Sequence, residues 1–152
     1  MATSRAPAAV DAFLALLQAA DGLRAVRVID GPPTTNLTGD WLSVGWQPGG
    51  ENAVSLRQEF AHAGAYPGRG LHDHCYAESR AGGTDVGARR RRVFEIVGEV
   101  ETILRASDDR PEAPTLNGTV LWAHLTAGDL LQGQADGALA GLDFTISCRA
   151  RI

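Results

Sequence analysis

Leu142-Asp143-Phe144-Thr145-Ile146-Ser147-Cys148-Arg149-Ala150-Arg151-Ile152 closes the sequence with apolar and polar residues in unbroken alternation. Successive side chains of a β-strand point to opposite faces, so this stretch predicts a strand with one buried and one wetted side, running to the last residue. Just upstream, Val120 to Leu131 reads as a strand or long hairpin arm, and Asp136-Gly137 supplies the turn between the two. An antiparallel pair at the end of the chain is therefore the anchor from which the remaining elements are placed.

Moving outward, the period changes from two to 3.6. Val86, Val93, Val97, Val100 and Leu104 share one face of a helix predicted from Val86 to Ala106. Ile96 and Ile103 widen that face, and Glu95, Glu99 and Thr102 lie opposite, the pattern of a surface helix laid on a sheet. Ser79-Arg80-Ala81-Gly82-Gly83-Thr84-Asp85 precedes it, with Thr84 or Asp85 as the N-cap. Four strands are predicted before that: Val26–Asp30, Trp41–Trp46, Ala53–Ala61 and His72–Ala77. In the third, Val54, Leu56 and Phe60 alternate with Ser55, Arg57 and Glu59, a half-buried pattern. Val10, Phe13, Leu14 and Leu17 mark an opening helix over 7–21, started by Pro7 and stopped by Asp21-Gly22. The order is α-β-β-β-β-α-β-β, an α+β class with a mostly antiparallel sheet packed against two α-helices. One domain over 1–152 is expected, with a loop-rich excursion around 31–70.

Composition narrows the function. The 152 residues carry 14 basic and 18 acidic groups, for a net charge of −4, which argues against a whole-surface nucleic-acid binder. All 14 basic residues are Arg, read first as GC-rich coding bias and otherwise as a preference for planar, bidentate guanidinium contacts. The run Ala12–Leu17 is bounded by Asp11 and Gln18 and reads as part of an amphipathic helix of a cytoplasmic protein, not as a signal peptide. Cys75 and Cys148 are then expected as buried free thiols.

Few motifs carry chemistry. His72-Asp73-His74-Cys75 places two imidazoles on one face of a strand, about 7 Å apart. A metal there needs further ligands, for which only His62, His124 and scattered acids are at hand, so the cluster reads chiefly as exposed polar residues of an edge strand. There is no Gly-x-Ser-x-Gly elbow, and without Lys a Walker loop is excluded in its usual form. No catalytic, cofactor-binding or metal-ligating set is assigned, and an enzyme is not expected. A small metal-dependent enzyme using His72 and His74 stays as a distant alternative.

Arg89-Arg90-Arg91-Arg92 falls in the first turns of the second helix, where the helix dipole disfavours cations. Glu95 can pair with Arg91 or Arg92. The run is open to three readings: a solvated face, a salt-bridged contact with another subunit, or contact with passing phosphates. Trp41 and Trp46, in surroundings rich in Gly and Pro, suit either the core or a surface buried against a partner. The loops 31–40, 47–53, 62–70 and 107–118 are many for so small a domain, and loops on a plain scaffold commonly carry binding surfaces.

Gly82-Gly83-Thr84-Asp85 opening an Arg-rich helix, then Leu116-Asn117-Gly118-Thr119-Val120, then Phe144-Thr145-Ile146 and Arg149-Ala150-Arg151, resembles the tail terminator proteins of long-tailed, siphovirus-type actinobacterial bacteriophages. The order of elements matches over most of the chain. The resemblance implies a non-enzymatic virion protein without cofactors, located at the tail neck and assembled in the host cytoplasm. It implies a ring, usually a hexamer, that caps the tail tube, ends its polymerisation and meets a head connector or stopper protein. DNA would pass through the lumen without sequence-specific binding, and no membrane is involved. On that basis Arg89, Arg90, Arg91, Arg92, Glu95, Glu99, Trp41 and Trp46 are expected at subunit or ring interfaces, and the loops 31–40 and 47–53 at neighbouring rings. Another neck component, a head-completion or connector adaptor protein, is the nearest alternative.

Overall fold

The computed structural model describes residues 4–34, 37–59, 68–134 and 137–151. Its elements are α1 (Ala6–Ala19), β1 (Arg27–Asp30), β2 (Gly39–Val44), β3 (Val54–Glu59), β4 (Gly68–Ala81), α2 (Val86–Ile103), β5 (Trp122–Gln134) and β6 (Ala138–Arg151). This is the predicted order. All six strands join one sheet, ordered β1-β2-β4-β6-β5, with β3 paired to β4. Every pairing is antiparallel except that of β1 with β2.

The anchor strand behaves as its alternation demands. Leu142, Phe144, Ile146, Cys148 and Ala150 are buried at 5% exposure or less, on the face that both helices cover. They share one hydrophobic cluster with Phe13, Leu14 and Leu17 of α1 and with Val93, Ile96, Val97 and Val100 of α2. Asp85 is the N-cap of α2, its carboxylate accepting from the Ala88 amide at 2.9 Å. No described helix is long and apolar enough to cross a membrane.

Two expectations about β4 need correction. The strand begins at Gly68, within the stretch expected as a loop, and extends to Ala81 beyond the expected end at Ala77. It is also an interior strand, not an edge. One side pairs with β6 along its whole length, from Gly68↔Arg151 to Ala81↔Ala138. The other side is shared end to end, by β3 up to Asp73 and by β2 from Cys75. Within the excursion of 31–70, the described residues supply two short strands, β2 and β3, that line up along one edge of β4. Leu56 faces the helix side but is 53% exposed, so β3 is less buried than its alternation suggests; Phe60 and His62 lie outside the described residues.

The connection from α2 to β5 contains a turn of 3₁₀ helix at Ala113–Thr115, followed by left-handed backbone at Leu116 (φ 45°), Asn117 (φ 60°) and Gly118 (φ 82°). Left-handed backbone costs a leucine about 1–2 kcal/mol. Burying Leu116 to 2% exposure offsets that cost and pins the loop to the core.

Candidate functional site

Three groups of side chains stand out, and the strand pleat determines which face each occupies. The first is the arginine run. Asp40 of β2 and Ser79 of β4 are register partners on the helix-covered face. Arg92 Nε donates to Asp40 Oδ2 at 2.7 Å, Arg89 donates to the Ser79 hydroxyl at 2.9 Å, and Ser79 donates to Asp40 Oδ1 at 2.7 Å. Arg89 and Arg92 therefore latch the start of α2 onto the sheet. Arg92 also reaches Glu95 at 3.3 Å, the pairing anticipated from their spacing. Arg90 and Arg91 are exposed, and Arg90 donates to Gln132 of β5 at 2.7 Å.

The second group lies on the face without helices. Trp41 and Tyr76 meet edge-on with ring centroids 5.2 Å apart, and Trp46 closes on both at 6.2 and 5.7 Å. They surround the carboxylate of Glu78, which is 5% exposed. Trp41 Nε1 and the Tyr76 hydroxyl donate to it at 2.7 and 2.8 Å, and Arg80 stands at 3.7 Å. Burial, then the Glu78 charge, pushes the Tyr76 phenol well above its ordinary range. Gly141 lies under the tyrosine, where a Cβ would collide with its hydroxyl. Trp46 is not in β2, as expected, but in the connection after it. That connection folds back over the sheet, and Gln47 Nε2 donates to the carbonyls of Cys75 and Phe144 at 3.1 and 3.0 Å. Trp41 is thus buried within the chain itself, while Trp46 is half-buried.

The third group is the histidines. His72 and His74 do share the open face, and each is held by hydroxyls. His72 Nδ1 and Ser147 Oγ are 2.9 Å apart, with Thr126 adding a contact to that hydroxyl at 2.6 Å. His74 Nε2 and Ser55 Oγ are 2.8 Å apart. Burial, then the neighbouring His72, lowers the His74 pKa. His124 stacks on Trp122 with centroids 4.7 Å apart. The irregularity between Leu125 and Ala127 in β5 turns Thr126 toward Ser147. Among the described residues, no three His, Cys, Asp or Glu side chains converge as a metal site would need. Both cysteines are free and buried. Burial drives the Cys75 thiol well above its usual range and the Cys148 thiol up to about 12, so both stay protonated and poor nucleophiles.

Two residues were misread or missed in the sequence. Asp73, expected with its neighbours as an exposed polar residue, shares the inward parity of Leu71, Cys75 and Ala77, and it is 6% exposed with Oδ1 unpartnered. Strand parity alone would have flagged it. Phe94 stands 51% exposed, a quarter turn off the apolar face of α2, which a helical projection would have revealed.

No family model matches the sequence, and no curated protein does. The fold, however, has a counterpart. A chain from the virion of a native gene transfer agent (GTA) particle superposes with a TM-score of 0.66, over 99% of this chain and 100% of its own, at 15% identity. The likeness in fold therefore extends over nearly the whole of this chain and the whole of the other.

Proposed function

We propose that this chain is a structural protein of a phage-type virion: a single tail-terminator-like domain that forms a ring on the tail tube, ends tube polymerisation and presents a surface to the head connector. The observation that carries this reading is the end-to-end likeness to a chain of a gene transfer agent virion, at a TM-score of 0.66. It supports a virion role, and the terminator assignment within the neck rests on the motif resemblance. The action is steric and interfacial, with no reaction and no cofactor. One ring face would match the tube subunit, and the other would lack the surface that recruits a further ring.

The geometry also narrows the subunit contact. Arg89, Arg92 and Trp41 are engaged inside their own subunit, and Trp46 rests on Trp41 and Tyr76. We assign the contact to the exposed members of the same set, Arg90, Arg91 and Glu95, together with the half-buried Glu99. The expected loop 31–40 ends where β2 begins at Gly39, and Asp40 is held under α2, so the remainder of that loop and the 47–53 loop are assigned to contacts with neighbouring rings. A net charge of −4 suits a protein whose lumen lets DNA slide past.

Light scattering across a concentration series, followed by addition of purified tail-tube protein, tests the reading. Rings in solution, or rings that close on tube ends and limit tube length, are the expected result. A chain that stays monomeric and ignores tubes at every concentration refutes it. Binding to a head connector but not to the tube would point instead to a head-completion or adaptor protein.

A further inference from the structure

α2 stands between α1 on one flank and β5 on the other. The two flanks differ in shape and in charge. On the β5 side Phe94 projects with half its surface in solvent, while Val93 and Val97 beside it are buried. Gly98, one turn further, leaves open space next to the ring. Arg90 and Arg91, one turn earlier, are both exposed. An aromatic knob with two guanidinium groups at its base is the kind of group that anchors protein interfaces.

The α1 side holds a groove of about 620 Å³ between α1, the C-terminal half of α2 and the 107–118 loop. Its apolar lining includes Ala15, Leu16, Ala19 and Ile103. Its rim carries Asp21, Glu99, Asp109 and Glu112 against a single lining base, Arg110. Asp21 is already paired with Arg24 at 2.9 Å, which leaves the other three acids to set the sign of the groove. Small residues on the exposed side of α1 are what make room there for a large side chain.

We propose that this groove receives a second copy of the chain, which inserts Phe94 against the apolar lining and sets Arg90 and Arg91 on the acidic rim. The inference deepens the ring reading and rests on it. Knob and groove occupy opposite flanks of one helix, so a subunit cannot fill its own groove. The contact is heterologous, passing from each copy to the next, and such contacts close into rings when the rotation allows. Arg90 exchanges its neutral acceptor, Gln132, for carboxylates, which make the stronger charge-assisted bonds.

The test uses the full chain and surface variants only. Phe94→Ala with Arg90→Glu and Arg91→Glu should weaken self-association roughly tenfold or more, in solution or on tube ends, while far-ultraviolet circular dichroism stays unchanged. Glu99→Arg with Glu112→Arg should do the same from the other side. Mixing the two sets should yield capped dimers, because one intact knob meets one intact groove. Combining the charge reversals of both sides on one chain, with Phe94 kept, should restore assembly. Rings that form as readily in the knob and groove variants as in the wild type overturn the inference and leave the terminator reading standing. Variant-sensitive assembly that ignores tail tubes supports the inference and removes the terminator reading. A wild-type chain that never self-associates, with or without tubes, removes both.

Discussion

Strand β4 buries two carboxylates five residues apart, and it treats them in opposite ways. Glu78 points to the open face, where an indole, a phenol and a guanidinium supply its hydrogen bonds and counter-charge. Asp73 points to the helix face, beside a small apolar recess lined by Ala9, Phe13, Val54 and Leu116, and its Oδ1 has no partner. Burying a charge is costly unless it is paired, and otherwise the group neutralises itself. Desolvation, with the Asp30 charge adding to it, raises the Asp73 pKa from 3.8 to about 7. The lesson is that a polar residue in the interior of this sheet is tolerated either through partners or through a retained proton.

The largest expected effect follows from that proton. The folded state holds it up to pH about 7, whereas the unfolded carboxyl releases it near 3.8, so between those values the folded state binds more protons. Its contribution is therefore complete below the unfolded value and is lost as pH rises through the folded one. The loss is about 4 kcal/mol at most, because each tenfold difference in proton affinity between the two states is worth about 1.4 kcal/mol. Denaturant midpoints measured from pH 4 to pH 8 should fall with rising pH. Asp73→Asn, which cannot ionise, should flatten that slope and be more stable than the wild type at pH 8. An unchanged slope in the variant would place the pH dependence elsewhere.

Glu78→Ala breaks the comparison from its other arm. It strands a buried indole N–H and a buried phenol and leaves Arg80, whose Nε is already without a partner, facing a void. Orphaned buried donors cost about 1–3 kcal/mol, and removing one member of a buried charged network costs about 3 kcal/mol or more. Equilibrium unfolding followed by tryptophan fluorescence should register a loss of roughly 3 kcal/mol. A loss below about 1 kcal/mol would mean that water reaches the cluster and shares its hydrogen bonds.

What was legible in the sequence divides along the same line between local and distant causes. Period two at Leu142 to Arg151 and period 3.6 from Val93 to Leu104 are local patterns, and both elements appear where they were expected. The start of β4 was hidden, because Gly68 and Gly70 read as loop and their strand geometry comes from pairing with Arg151 and Arg149 at the far end of the chain. The arginine run shows the limit most plainly. Four identical neighbours divide into two latches and two exposed groups, and the division depends on Asp40 and Ser79, which only the β2–β4 register brings under the helix. The α1 groove was beyond reach for the same reason, since the 107–118 loop that walls it is positioned by the left-handed turn at Leu116.

A third carboxylate sharpens the comparison at smaller scale. Asp143 shares the open face with Glu78, and its direct neighbour across the β5–β6 ladder is another acid, Asp129. Partial burial, followed by the Asp129 charge, raises the Asp143 pKa, and its Oδ1 is buried without a partner. It therefore falls between the other two: it lacks the donors of Glu78 and the full desolvation of Asp73. Like charges directly opposite on an antiparallel pair are destabilising, and opposite charges contribute about 0.2–1 kcal/mol. Asp129→Lys should convert repulsion into attraction and raise stability by about 0.5 kcal/mol at pH 7, with a smaller gain in high salt because Asp129 is exposed. Thermal unfolding at two salt concentrations reads both effects. If the variant matches the wild type at low salt, Asp143 is already neutral at pH 7, and it then belongs with Asp73 as a residue that meets burial by keeping its proton.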